Sequence, residues 1–143
     1  MSAFNKFNSW VNKVDTKLVN LNADVFKVLL TNTAPVATNA VYADISATEL
    51  ANGNGYTTGG TTVPNTSVSD TSGTDTFIGD SITWTATGSM GPFRYAVLYD
   101  TTATGSPLVG WWDYGSSITL ATGETFQWKP NNASTAGTIY TLA

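Results

Sequence analysis

Two carboxylates are the best candidates for catalysis in this sequence. Asp113 and Glu124 are close in sequence and near tryptophans, and two carboxylates facing each other across a cleft can hydrolyse a glycosidic bond. The other acids stand mostly singly at turns beside strands, where such residues normally form turns and aid solubility. The chain contains no histidine and no cysteine, which excludes Ser-His-Asp and Cys-His catalysis and the common zinc and iron sites. We therefore expect no enzyme activity, no metal site and no cofactor.

Aromatic residues are the remaining candidates for function. Trp111 and Trp112 are neighbours in a predicted strand, so their side chains point to opposite faces of the sheet. One of them lies on the outer surface unless another element of the same fold covers it. An exposed tryptophan is a candidate for stacking on a sugar or for anchoring a protein interface. Gly110 and Gly115 beside this pair suit a close approach of another backbone.

The N-terminal segment has apolar residues at helical spacing, which predicts an amphipathic helix over residues 2–14 with Ser2 as a candidate cap. Residues 1–16 are a possible docking segment, packed on the body of the chain or on a neighbouring subunit, because three bulky aromatics are not left in water. Lys13 and Lys17 either contact an acidic partner or stay solvated. The apolar stripe consists of Phe4, Phe7, Trp10, Val11 and Val14.

Composition limits the class of protein. The chain has 143 residues, enough for one domain with its own core, and a formal net charge of −4. Charged residues make up only 11% of the chain, against roughly 25% in typical soluble domains. An acidic body with few cations argues against nucleic-acid binding. No run approaches the ~18 apolar residues of a membrane span, and no signal peptide is visible, so we expect a soluble product of the cytoplasm.

Segments of strand-like pattern run through most of the chain, separated by turns rich in Gly, Asn and Asp. Pro64 marks one of them as an edge strand or a bulged strand, and a helical turn begins at Ser46. About eight strands with helical pieces only in the first third predict a single all-β domain over residues 1–143. The expected architecture is a jelly-roll-like, two-sheet antiparallel β sandwich with short helical segments near the N-terminus. The eight predicted strands cover residues 25–31, 61–69, 74–78, 81–87, 93–99, 108–114, 125–129 and 138–142, and residues 17–20 are a candidate for a further short strand.

Four segments carry a resemblance to a known family. They are FKVLLTNTAP (26–35), ANGNGYTTGG (51–60), FRYAVLYD (93–100) and LVGWWDYGSS (108–117). Together they resemble small virion proteins of tailed bacteriophages, including jelly-roll cement (head decoration) proteins such as that of a Bordetella phage. The chain departs from this family in its aromatic N-terminal segment and in residues 127–130, and both departures could be specific to a partner.

The resemblance implies a protein of the virion that binds the outer capsid surface and clamps neighbouring major capsid protein subunits. It also implies self-association, as a dimer ahead of a trimer, with neither nucleic acid nor membrane as a partner. A tail or fibre-base protein is the first alternative. A carbohydrate-binding jelly-roll module is the second, and it requires an exposed planar row of tryptophans. The candidate contact residues are Phe4, Phe7, Trp10, Lys13, Lys17, Trp111, Trp112 and Trp128.

Overall fold

Two long antiparallel strands form the centre of the fold. In the computed structural model, which describes residues 3–142, β7 and β8 pair along most of their length, and β2 pairs with the other side of β7. Short strands complete this sheet at both edges, giving the order β1-β8-β7-β2-β3. The five strands are β1 (Asn5–Lys6), β2 (Phe26–Thr31), β3 (Thr61–Thr62), β7 (Met90–Asp100) and β8 (Leu108–Leu120).

Two smaller antiparallel sheets pack on one face of the five-stranded sheet. One has three strands in the order β10-β5-β4, and the other pairs β6 with β9. Helical structure is limited to α1 (Trp10–Asp15) and to 3₁₀ turns at Tyr42–Asp44, Ser46–Thr48 and Pro130–Asn132. The strands of the smaller sheets are β4 (Ser67–Thr71), β5 (Thr74–Gly79), β6 (Ile82–Thr85), β9 (Thr125–Trp128) and β10 (Gly137–Leu142).

Buried residues lie on both faces of the large sheet. Val28, Leu98 and Trp112 belong to the main core on its inner face, because alternate residues of paired strands share a face. Trp111 points the other way, into a smaller outer cluster with Phe7. The two adjacent tryptophans therefore lie on opposite faces, and each is covered by its own chain.

The expected all-β antiparallel sandwich is confirmed, with the layer opposite the large sheet divided into two sheets. The N-terminal helix is wrong in extent. Residues 5 and 6 form a strand paired with Trp111 and Gly110 of β8, and the helix begins only at Trp10. Pairing satisfies backbone groups at the edge of β8 that a helix over residues 2–14 would leave open. Ser2 lies outside the described residues.

Other strand boundaries differ for local reasons. Residues 17–20 form turns, because Lys17 has a φ of 63° and the Asn20 side chain accepts a hydrogen bond from the Asn22 N–H. The predicted strand over 61–69 divides into β3 and β4 around Pro64 and Asn65, where Asn65 has a φ of 54°. Conversely, β8 continues past residue 114 to Leu120.

Candidate protein-docking groove

An apolar groove lies where the two layers of the sandwich meet at one side of the molecule. Its walls are β1 and α1 on one side and β10 on the other, and we call it the seam. β1 is the edge strand of the five-stranded sheet, and β10 is an edge strand of the three-stranded sheet. The seam therefore separates two sheet edges that do not pair with each other among residues 3–142.

Aromatic contacts fix the N-terminal segment beside the seam. The Phe4 ring stacks on Tyr140 at 5.7 Å between centroids and tilts against Trp112 at 5.3 Å. The Trp10 indole N–H donates to the Tyr140 hydroxyl at 3.1 Å. Gly110 makes this approach possible, because a Cβ at that position would overlap the Phe4 ring and the Asn5 carbonyl oxygen. The predicted close approach is thus confirmed at Gly110. It is wrong at Gly115, where a Cβ would meet no atom within 4 Å.

The seam consists of two adjoining cavities. The first has a volume of about 260 Å³, and its lining is mostly apolar: Phe4, Lys6, Trp10, Val11, Val14, Tyr140, Thr141 and Leu142. The second, about 390 Å³, lies further along β10 and reaches Ala3, Trp112 and Asn131. Leu142 is 45% exposed at the mouth. Exposed apolar surface of this kind, concave and bordered by polar groups, is typical of interaction sites.

The N-terminal part of the chain carries three lysines, one of them in the lining of the seam. Lys6 is exposed and lines the first cavity, Lys13 is half-buried on α1, and Lys17 is exposed just beyond the helix. Within residues 3–142 none of these three lysines forms an ion pair; the single pair there joins Arg94 to Asp113. Lys6 therefore gives the first cavity a cationic rim.

The structure places four of the predicted contact residues at the seam or on its helix and the others elsewhere. Phe4, Trp10 and Trp112 line its cavities, and Lys13 lies on α1 beside them. Phe7 is fully buried and packs against the half-buried Trp111 at 4.6 Å.

Lys17 lies in a separate shallow groove with Val14 and Val68. Trp128 is buried against Trp112. Partner contact by any of these residues stays a prediction.

The sequence missed two parts of the groove. The sequence predicts that Tyr140 and Leu142 belong to a strand, but it does not predict that they line a groove. No local sequence pattern indicates that β10 lies close to the N-terminal segment. Gly110 is the sequence signal for this contact, because a glycine beside two tryptophans in a strand indicates that another backbone comes close.

The carboxylates considered for catalysis have structural partners. Asp113 accepts two hydrogen bonds from the Arg94 guanidinium, at 2.7 and 2.9 Å, and this contact lowers the pKa of Asp113. Glu124 accepts a hydrogen bond from the Ala121 N–H at 2.7 Å. In the described part of the chain, His, Cys, Asp and Glu do not gather in any group of three or more that could hold a metal ion.

Asp100 and Asp24 form an unusual pair of carboxyl groups. Asp100 is fully buried at the end of β7, and its Oδ1 accepts hydrogen bonds from the N–H groups of Thr102 and Ala103. Its Oδ2 has no donor. Burial and then the neighbouring Asp24 carboxyl raise the pKa of Asp100 to about 6. Protonation of Asp100 at low pH removes the charge from this buried carboxyl group and the repulsion between it and Asp24.

Comparison with known protein families, with curated proteins and with solved structures finds no match to this chain. Among residues 3–142, no helix has the length and hydrophobicity needed to cross a lipid bilayer. The geometry of the seam and the resemblance of the four sequence segments are therefore the basis for a functional proposal.

Proposed function

We propose that this protein is a capsid cement protein of a tailed bacteriophage. It is made in the cytoplasm of the host, binds the outer surface of the assembled head and bridges neighbouring subunits of the major capsid protein. A protein that binds only the assembled shell stabilises the shell by mass action. Neither enzymatic turnover nor binding of nucleic acid or membrane has a part in this function.

The seam is the observation that carries the proposal. It offers a partner two open strand edges, an apolar floor and a cationic wall at Lys6 in one place. Peptide segments bind protein surfaces by adding to open strand edges and by placing side chains in apolar pockets. A bridging protein needs such a surface more than it needs a reactive group.

Self-association belongs to the same proposal. Most homo-oligomers have closed symmetry, and a two-fold axis is the commonest. We therefore propose a dimer on the head, ahead of a trimer. A two-fold dimer presents two copies of the seam, so that it can contact two shell subunits at once.

The burial of the tryptophans argues against a carbohydrate partner. A carbohydrate-binding module needs a row of exposed indole rings, whereas Trp10, Trp84, Trp112 and Trp128 are each at most 3% exposed. Trp111 is half-buried and packs against Phe7. Binding of the isolated protein to a polysaccharide column would favour the carbohydrate alternative.

Copy number on purified particles tests the proposal and separates head from tail. Heads are disrupted, washed and analysed by quantitative mass spectrometry. We expect this protein at a copy number comparable to that of the major capsid protein. A few copies per particle would assign it to the tail or fibre base, and its absence from washed virions would refute a structural role.

A point substitution tests whether residues 1–16 act as a docking segment. Deleting residues 1–10 should weaken association, but it also removes Phe7 and Trp10 from the interior. Val11→Asp changes a half-buried residue of the seam instead, and Val36→Asp is the matched control at a valine that is 54% exposed and does not line it. We expect the first variant to lose head binding and the second to keep it.

A further inference from the structure

We infer that the occupant of the seam is an extended, acidic and apolar segment that adds to β10 as a further antiparallel or parallel strand. Its apolar side chains enter the first cavity, and its carboxylates lie toward Lys6. The inference rests on the proposed function for the source of this segment, a subunit of the capsid shell. The chemistry of the segment follows from the seam alone.

The backbone of β10 provides the first argument. β10 pairs with β5 on one side, and across the seam β1 pairs only with β8. Within residues 3–142 no backbone hydrogen bond joins β10 to the N-terminal segment. An open edge presents unpaired N–H and C=O groups that can pair with another chain.

The other edge of the same small sheet is a useful contrast. β4 has the sequence SVSDT, with half-exposed and exposed residues throughout and Asp70 near its end. Polar, charged edges of this kind resist pairing with another strand. β10 instead has Tyr140 and Leu142 at an apolar groove, so strand addition is favoured on the β10 side.

The apolar lining of the seam indicates that the bound segment has apolar side chains on one side. Trp10, Val11 and Val14 of α1 face Tyr140 across the first cavity. The volume of this cavity is about 260 Å³, and an apolar cavity of about 150 Å³ is enough to hold benzene. The seam therefore has room for a large apolar side chain, and alternate residues of a strand reach the same side.

The lysine in the lining of the seam indicates that the polar side chains of the bound segment are acidic. Lys6 lines the first cavity, and Lys13 lies on α1 beside it. Asp75 pairs with Leu142 on the β10 side, so the cationic side of the seam is the wall formed by β1 and α1. Opposite charges across an interface favour association and fix the register of the partners. Acidic residues that alternate with apolar ones meet both requirements.

Binding of designed peptides tests the occupant directly. The probe is a fluorescein-labelled nine-residue peptide that alternates valine and glutamate, and binding to the full chain is measured by fluorescence anisotropy. We expect it to bind about tenfold more tightly than the matched valine–lysine peptide, a difference of about 1.4 kcal/mol. N-methylation of alternate amides, which removes backbone donors, should abolish binding when the methylated edge faces β10.

Variants of the chain locate the binding. Lys6→Glu should weaken binding of the glutamate peptide and strengthen that of the lysine peptide, whereas Lys27→Glu, on β2 and outside the seam, should change neither. Hydrogen exchange should show new protection at residues 138–142 and none at β4. Protection at β4, or equal affinity for the two peptides, would overturn the inference.

Three further outcomes separate this inference from the proposed function. If the chain decorates heads but neither peptide binds, the cement function stands and strand addition at the seam is wrong. If Val11→Asp dissociates a dimer of the free protein and the peptides do not bind, the occupant is a second copy of this chain. Peptide binding without any decoration of heads supports the seam chemistry and refutes the cement function.

Discussion

The five-stranded sheet ends in the short strand β3 beside β2 on one side and in the short strand β1 beside β8 on the other, and we call these sides the β2 edge and the β8 edge. The two sides are covered by different kinds of contact. At the β2 edge, the Glu49 carboxylate accepts hydrogen bonds from the hydroxyls of Tyr42 and Tyr56 and from the Gly59 N–H, at distances of 2.5, 2.6 and 2.6 Å. The Tyr99 hydroxyl donates to the Gly59 carbonyl at 2.6 Å. We call Glu49 with these three tyrosines the tyrosine cluster. It ties residues 42–60 to the sheet.

The β8 edge has little of this polar bonding. β1 contributes two residue pairs, and the Phe7 N–H and the Asn5 side chain donate to the Val109 and Trp111 carbonyls. The Phe4 and Phe7 side chains make ring contacts, and among residues 3–142 no charged group takes the place that Glu49 has at the β2 edge. Hydrogen bonds are directional, and each donor or acceptor can be fully satisfied within the fold. Apolar contact has no preferred direction and no fixed number of partners, so apolar surface that the fold leaves uncovered can still bind a partner. This difference explains why an apolar groove remains at the β8 edge, whereas a closed loop covers the β2 edge.

Removing the carboxylate of the tyrosine cluster should have the largest effect. Glu49→Ala deletes the acceptor of three hydrogen bonds, and bonds to a charged group contribute about 1.5–3 kcal/mol each. Because Glu49 is partly exposed, we expect a loss of about 3 kcal/mol of unfolding free energy in total. Glu49→Gln keeps one acceptor oxygen and should lose less. Urea unfolding at pH 7 measures both, and an alanine variant as stable as the wild type would show that the cluster does not hold the loop.

The Asp24–Asp100 pair should produce a gain of stability on substitution. The pKa of Asp100 is raised from 3.8 to about 6, so its favourable contribution is complete below pH 3.8 and is lost as the pH rises through 6. Asp100→Asn supplies a permanent donor toward Asp24. We expect it to stabilise the fold by about 2 kcal/mol at pH 7.5.

The pH dependence of that difference is the control. The advantage of Asp100→Asn over the wild type should shrink toward pH 4, where the wild-type pair holds its own proton. Thermal unfolding of both proteins from pH 4 to pH 8 measures it. A variant that is less stable than the wild type at pH 7.5 would contradict repulsion between the two carboxyl groups.

A methyl group at Gly110 should have the smallest effect of the three and should act on the seam. The added Cβ would overlap the Phe4 ring and the Asn5 carbonyl oxygen, and overpacking costs about 1–3 kcal/mol. Because β1 is short and peripheral, we expect a loss of about 1.5 kcal/mol. Gly88→Ala is the matched control, since its Cβ would meet only the exposed Asn54 side chain. Equal losses in the two variants would show that β1 is not held by fit at Gly110.

Much of the fold follows from local sequence patterns. Period-2 alternation and β-branched or aromatic residues identify β2, β5 to β7, β9 and β10 within a few residues, because each strand buries one face or both. They identify only the first half of β8, which continues from residue 114 to Leu120. The helix predicted over residues 2–14 is wrong before Trp10, because its sequence pattern fits two structures. Its apolar stripe also fits an extended segment that places Phe4 and Phe7 on opposite sides of β8's edge, and pairing with β8 decided between the two.

The groove is less predictable than the fold. The cluster of large aromatic residues near one end of the chain predicts Phe4 and Trp10 as contact residues, and both line the seam. Tyr140 and Leu142 are more than 120 residues away in sequence and give no local signal of their meeting with α1. Their apposition depends on how the three-stranded sheet sits on the large one, which no single segment encodes.

A cryo-EM map of the decorated head tests the central claim most directly. We predict continuous density for an extended segment of the major capsid protein in the seam, paired with β10 and in contact with Lys6. A map in which the seam is open to solvent, while another face of the sandwich meets the shell, would contradict it.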